Sequence, residues 1–331
     1  MVVDSKINSV VVLAGGVGAA RFLRGLALVH NQQATTALVN TGDDTILHGL
    51  NISPDIDTVI YTLSEAIDAQ RGWGLSDETW HAMESLKRYV DVRPTGSIAA
   101  PEWFNLGDKD LATHFYRTAR RSEGADASQI TSEIARAWKV DQRIVPMTNS
   151  DVSTLVELAQ DCQAGKAGTQ ISFQEYFVKY QHSVAVRAIY FQGAETAKPN
   201  CIEELNQADV IVIAPSNPIV SIGPIRALAG INDLLTANRD KVVAISPIIG
   251  GHALKGPADR MLTELGHESS ALGVARLYKT VASTIIIDTV DADLKDAIER
   301  EGMRCIVTNT VMSDPKISSA LAQTTLDSIA L

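Results

Sequence analysis

Three short runs of wholly apolar residues, Val10–Ala14, Ile211–Ala214 and Val242–Ile245, each end abruptly at small or turn-forming residues. The first enters Gly15-Gly16-Val17-Gly18. The second enters Pro215-Ser216-Asn217-Pro218, followed by Ser221-Ile-Gly-Pro224. The third enters Ser246-Pro247-Ile-Ile-Gly250-Gly251. Each is the pattern of a buried strand that stops before a helical stretch. In a parallel sheet such ends line one crevice at the carboxyl edge. Backbone N–H groups at that edge are free to meet phosphate, so the chain reads as a handler of phosphorylated nucleotides.

The rest of the sequence fits this frame. Val10–Ala14 reads as a first strand, Val17–Val29 as a one-sided apolar helix, and Thr36–Val39 as a second strand entering Asn40-Thr-Gly-Asp43-Asp44. Helical patterns then follow at Thr58–Ala69, Asp77–Tyr89, Asp110–Arg121 and Gln129–Trp138. Strands return near Arg143–Pro146, Ser183–Phe191, Asp209–Ala214, Val242–Ile245, Thr284–Ile287 and Arg304–Val307. This rhythm predicts an α/β fold with a doubly wound, mainly parallel, Rossmann-like sheet and a mostly helical insertion. A single domain is expected, with residues 1–57 and 140–331 as the nucleotide-binding core and 58–139 as the insertion.

With 331 residues, 45% hydrophobic and 21% charged, the chain can bury a large core. Its net charge of −10 argues against a nucleic-acid footprint, which needs a basic face. The same charge repels an anionic substrate, so helix N-termini, a few Lys and Arg, or a divalent cation must offset it locally. The cysteines, Cys162, Cys201 and Cys305, form no C-x-x-C pair, and no apolar run is long enough to span a membrane. A cytoplasmic location is expected. No His spacing suggests zinc.

The glycine turn excludes two standard nucleotide signatures. A dinucleotide fingerprint would need glycine where Arg21 stands and an acid where Asn40 stands, and there is no Gly-Lys-Ser/Thr loop. An NAD-dependent oxidoreductase is therefore disfavoured. Four acids, Asp43, Asp44, Asp55 and Asp57, fall in one short stretch beside that turn. Asp57 by itself suits a helix N-cap, and Asp43 a turn. Together they suit a magnesium ion, which takes a few carboxylates plus substrate phosphates, or a proton acceptor for a hydroxyl. Ser216, Asn217, Ser221 and Ser246 add polar groups at the other strand ends. Trp73 between two glycines, and Trp103 in Trp103-Phe-Asn105-Leu-Gly-Asp108, serve either the core or the face of a flat aromatic substrate.

Taken in order, these motifs resemble the 2-phospho-L-lactate transferase (CofD) family of coenzyme F420 biosynthesis. The likeness runs through Gly15–Gly18, Asn40–Asp44, Ile52–Thr58, Gly72-Trp-Gly74 and Trp103–Asp108. It continues through Phe173–Val178, Pro215–Pro218, Ser246–Gly251 and Gly256-Pro-Ala258. The resemblance implies transfer of a 2-phospholactyl or phosphoenolpyruvyl group from a guanosine diphosphate-linked donor (LPPG or its dehydro form). The acceptor is the terminal ribityl hydroxyl of the deazaflavin FO, and GMP leaves. It also implies Mg²⁺ dependence and a homodimer.

Carried over by position, Asp44 and Asp57 become the catalytic and metal-holding acids. Asp57, Asn105, Trp73 and Trp103 become the FO side. Gly15, Gly16, Gly18, Ser216, Asn217, Ser221 and Ser246 become the phosphate and nucleotide side. The segment Pro146-Met-Thr-Asn-Ser-Asp151 departs from the family pattern, where an Asp usually follows the Met closely. A non-catalytic nucleotide-sugar regulator of the gluconeogenesis-factor type is the competing expectation. Trp73 and the Trp103 run argue against it, having no purpose there.

Overall fold

The computed structural model describes residues 7–329. Among them, seven strands form one sheet: β1 (Val10–Ala14), β2 (Thr35–Val39), β3 (Arg143–Pro146), β4 (Val210–Ile213), β5 (Val242–Ile245), β6 (Thr284–Asp288) and β7 (Arg304–Thr308). Their spatial order is β7-β6-β5-β4-β1-β2-β3, and every neighbouring pair is parallel. Every residue of β1, β2, β4, β5 and β6 is buried. Parallel strands covered on both faces need such continuous apolar runs. Val11 and Leu13 enter the core on one face of the sheet, and Val10, Val12 and Ala14 the core on the other. Each such Val, Leu or Ile contributes roughly 1.5–3 kcal/mol by leaving water.

From β1 the chain first builds outward through β2 and β3, then returns to build the other half from β4. The reversal falls between β1 and β4. At such a switch point, loops from adjacent strand ends diverge to opposite faces and leave a crevice. The Gly15 turn follows β1 and the Pro215 turn follows β4, so both border it.

Helix α1 (Gly16–Leu26) runs back from the glycine turn and packs on α2 (Pro54–Leu63) and on the C-terminal helix Pro315–Asp327. Helix α2 begins earlier than expected because Pro54 occupies its first turn, where a missing N–H costs nothing. It ends at Leu63, near Glu65 in the left-handed region (φ 59°), instead of continuing to Ala69. The chain continues with a short helix His81–Leu86, then α3 (Asp110–Ser122) and α4 (Ala127–Ala137), the last held by an Asp126/Gln129 capping box.

Val186–Gln192 is a strand close to the expected place but lies outside the parallel sheet. It pairs antiparallel with Ser153–Leu158, which also pairs with Gln170–Ser172. Ser153–Leu158 alternates between more and less buried residues, as a strand covered on one face must. This small sheet occupies the connection from β3 to β4.

Candidate active site

The β1–α1 turn meets the β4 loop at van der Waals distance. A Cβ on Gly18 would run into the carbonyl oxygen of Pro215, and one on Gly15 would stand 2.7 Å from Ser221 Cβ and 2.8 Å from Asp55 Oδ2. Only glycine lets these backbones approach so closely. Gly15, Gly16, Gly18, Ser221 and the Pro215-Ser216 bend are thus gathered at the switch point. Ser216 is buried and its hydroxyl has no protein partner.

Asn40, where a dinucleotide-binding fold would carry an acid, is the hub of the next layer. Its Nδ2 donates to Asp55 Oδ2 (2.9 Å) and Asp43 Oδ1 (3.2 Å), and its Oδ1 accepts from the Gly42 N–H (2.8 Å). Asp55 also accepts from the Gly16 N–H. Gln174 Nε2 donates to the Asp43 carbonyl at 3.1 Å, and the Ser53 hydroxyl to Asp44 Oδ2 at 2.7 Å. Asp43 and Asp44 face a cavity of about 570 Å³, walled also by Arg117, Thr154, Phe173 and Gln174.

Burial dominates the electrostatics. The surrounding protein pushes Asp44 up to about 8 even though its side chain reaches the surface, with the Ser53 hydroxyl and Arg117 pulling the other way and Asp57 and Asp55 adding to the rise. Burial raises Asp43 well above the usual carboxylate range, helped by the charges of Asp55 and Asp44. Asp55 rises to about 6, moderated by its bonds from Asn40 and Gly16. Asp43 and Asp55 are buried and Asp44 is exposed; their carboxylate oxygens are of the ligand type a hard divalent cation takes.

Asp57 sits apart from this group. Its Oδ1 accepts from Arg117 Nη2, and its Oδ2 lies 3.8 Å from His114 Nδ1. Asp57, Asp110 and His114 bring one ligand atom each within 4.8 Å of one another, the grouping among the described residues whose geometry could hold a metal ion. Burial raises the Asp57 carboxyl, and Arg117 and then His114 oppose the rise.

The two tryptophans lie on different loops. Trp73 is 47% exposed, edge-on to Trp80, with the Arg71 guanidinium over both rings. A Cβ on Gly72 would lie 2.5 Å from Lys255 Nζ and 3.6 Å from Val17 Cγ1, which puts this loop against the start of α1. The Lys255 ammonium donates to the Arg71 carbonyl at 3.2 Å. Burial, then the neighbouring charge of Arg21, lowers the pKa of Lys255. Trp103 packs edge-on to Phe104 under the Lys179 ammonium, while Asn105 is exposed.

Two expected nucleotide ligands use their side chains within their own loops. Asn217 Oδ1 accepts from the Ile219 N–H, and the Ser246 hydroxyl donates to the Ile248 carbonyl. Conversely, Arg117 belongs to no motif. Its only trace is spacing: Asp110, Thr113, His114 and Arg117 put polar groups where an amphipathic helix carries its buried stripe.

Comparisons with known proteins identify the family. The family model described as 2-phospho-L-lactate transferase CofD matches residues 10–323. A phosphoenolpyruvate transferase of Streptomyces griseus is 41% identical over 321 residues, covering 96% of this chain and 97% of the relative. One from Mycobacterium tuberculosis is 38% identical over 333 residues, covering 96% and 98%. Among solved structures, the crystal structure of a UPF0052 family member from Bacillus halodurans has a TM-score of 0.58 at 16% identity. It covers 97% of this chain and 99% of its own, a likeness of fold alone. No helix among the described residues is long and apolar enough to cross a membrane. On a family match along nearly its whole length, the chain belongs to the CofD family and is a phosphotransferase.

Proposed function

We propose that the chain transfers a phosphoenolpyruvyl or 2-phospholactyl group from a guanosine diphosphate-linked donor to the terminal ribityl hydroxyl of FO, releasing GMP. The observation that carries this reading is the switch-point site, where an amide-rich glycine turn faces a buried group of aspartates. The names of the Streptomyces and Mycobacterium relatives favour the enolpyruvyl donor.

The FO hydroxyl oxygen attacks the phosphorus that bears the three-carbon acid, and the bond from that phosphorus to the GMP phosphate oxygen breaks. The leaving group departs as a stable anion, so positioning and charge neutralisation govern the rate. The hydroxyl proton passes to a carboxylate, which we assign to Asp57; general-base help is typically worth about 10²–10⁴-fold. Backbone N–H groups of Gly15, Gly16 and Gly18, the free Ser216 hydroxyl and Ser221 hold the diphosphate. Asn217 and Ser246 shape their loops so that backbone groups meet the guanosine side. Trp73, Trp103 and Asn105 enclose the deazaflavin.

Asp44, with Asp43 and Asp55 beside it, would hold Mg²⁺, which when bound neutralises diphosphate charge. Of the two acids expected to share the metal, Asp57 keeps the proton-accepting role because one of its oxygens is already taken by Arg117. The reading includes a cytoplasmic homodimer, which sedimentation would test. Incubation with FO, Mg²⁺ and the guanosine-linked donor should yield GMP and a more anionic fluorescent product, and EDTA should abolish both. Absence of product with both donor forms would sink the reading.

A further inference from the structure

Helices α2 and α3 share a buried polar chain that ends at Asp57. The Tyr61 hydroxyl donates to Asp110 Oδ1 at 2.7 Å and lies 2.8 Å from Thr113 Oγ1. His114 Nε2 is 3.3 Å from Asp110 Oδ2, off the line of a good hydrogen bond. His114 Nδ1 is 3.1 Å from Arg117 Nη1, and Arg117 Nη2 donates to Asp57 Oδ1. A guanidinium can only donate, so Nδ1 accepts and the imidazole proton sits on Nε2, towards Asp110. Arg117 is 5% exposed and also walls the cavity holding Asp44. At the end of the chain Asp57 Oδ2 is buried with no hydrogen-bond partner.

We propose that Arg117 is the positioning residue of the transfer reaction: it fixes Asp57 through Oδ1 and leaves Oδ2 bare, while His114 anchors the guanidinium. His114 is then a spacer with no acid–base or metal-binding role. With Nδ1 engaged by Arg117 and the proton on Nε2, this arrangement and a metal ion held by Asp57, Asp110 and His114 exclude each other. This inference rests on the assignment of Asp57 as proton acceptor.

Single-turnover kinetics with FO and the guanosine-linked donor test it. Arg117→Met should lower the rate constant about 10²-fold, the scale of an active-site group displaced by an ångström, with little change in KM. Because Arg117 acts through Asp57, the D57N/R117M double variant should be no slower than D57N alone. His114→Gln, which keeps an acceptor for Arg117 and a donor for Asp110, should restore all but a few-fold of the rate lost in His114→Leu.

Circular dichroism and thermal melting check each fold. R117M leaves a buried charge unpaired, so if it fails to fold the two His114 variants carry the test. A near-normal rate in folded R117M, or an R117M deficit that multiplies on top of D57N, would overturn the inference. So would H114Q as slow as H114L, which would give the imidazole a chemical role of its own. Normal turnover in D57N would instead remove the assignment of Asp57 itself.

Discussion

Asp55 and Asp57 stand two residues apart on one helix, yet their settings are opposite. Two steps along an α-helix rotate a side chain by about 200°. Asp55 therefore turns to the glycine bend and Asn40, and Asp57 turns to α3. Around Asp55 the neighbours are more carboxylates, Asp43 among them, tempered by an amide and a backbone N–H. Around Asp57 stand a guanidinium and an imidazole. Among the described residues, the first setting has no positive partner of its own. The other is already balanced and is arranged to hold a geometry. Closeness in sequence says nothing about which of the two an acid will join.

The contrast breaks most directly by mutation. Asp44→Asn and Asp57→Asn should each lower turnover by roughly 10²–10⁴-fold. Only Asp44→Asn should raise the Mg²⁺ concentration needed for half-maximal rate. A shifted Mg²⁺ requirement in D57N, measured by titration against product formation, would merge the two settings into one metal site.

A smaller effect lies in the pH dependence of stability without metal. Folded Asp44 holds its proton up to about 8, whereas the unfolded chain releases it near the ordinary 3.8. The folded state thus binds more protons between these values. The resulting stabilisation is complete below about pH 4 and is lost as pH rises towards 8. Asp55 adds the same sign between about 4 and 6. Urea midpoints of the metal-free protein should therefore fall from pH 6 to pH 8, and Asp44→Asn should flatten that slope. A wild-type slope of the opposite sign would show that other groups dominate the linkage.

The smallest effect is expected at the half-exposed ring. Trp73→Ala should change stability by no more than about 0.5 kcal/mol. It should raise the KM for FO roughly 2- to 10-fold, the worth of one aromatic contact. An unchanged KM would leave Trp73 a surface residue and shift the deazaflavin towards the Trp103 loop.

Much of this was legible in the residues. Val10–Ala14 and Val242–Ile245 can be little else than doubly covered strands, and Gly15–Gly18 marks a helix start at a sheet edge. The helices at Asp110 and Ala127 follow their apolar faces closely. Less legible were Ser153–Leu158 and Gln170–Ser172, short one-sided strands whose pairing depends on partners far along the chain. Asn40 reads as a missing acid, but its role as the amide joining Asp43 to Asp55 needs both carboxylates in place. Arg117 looks like an ordinary helix-surface arginine until α3 docks on α2.

Periodicity and turn chemistry, written locally, determined the strands, the glycine bend and the presence of an acidic loop beside it. Which carboxylate meets which partner was left to the tertiary structure. Asp57 and Arg117 are separated by 60 positions, and only the packing of two helices brings them together in a place where water cannot screen them. An electrostatic pairing depends on distance and local dielectric, and neither is encoded in the spacing of residues along a chain.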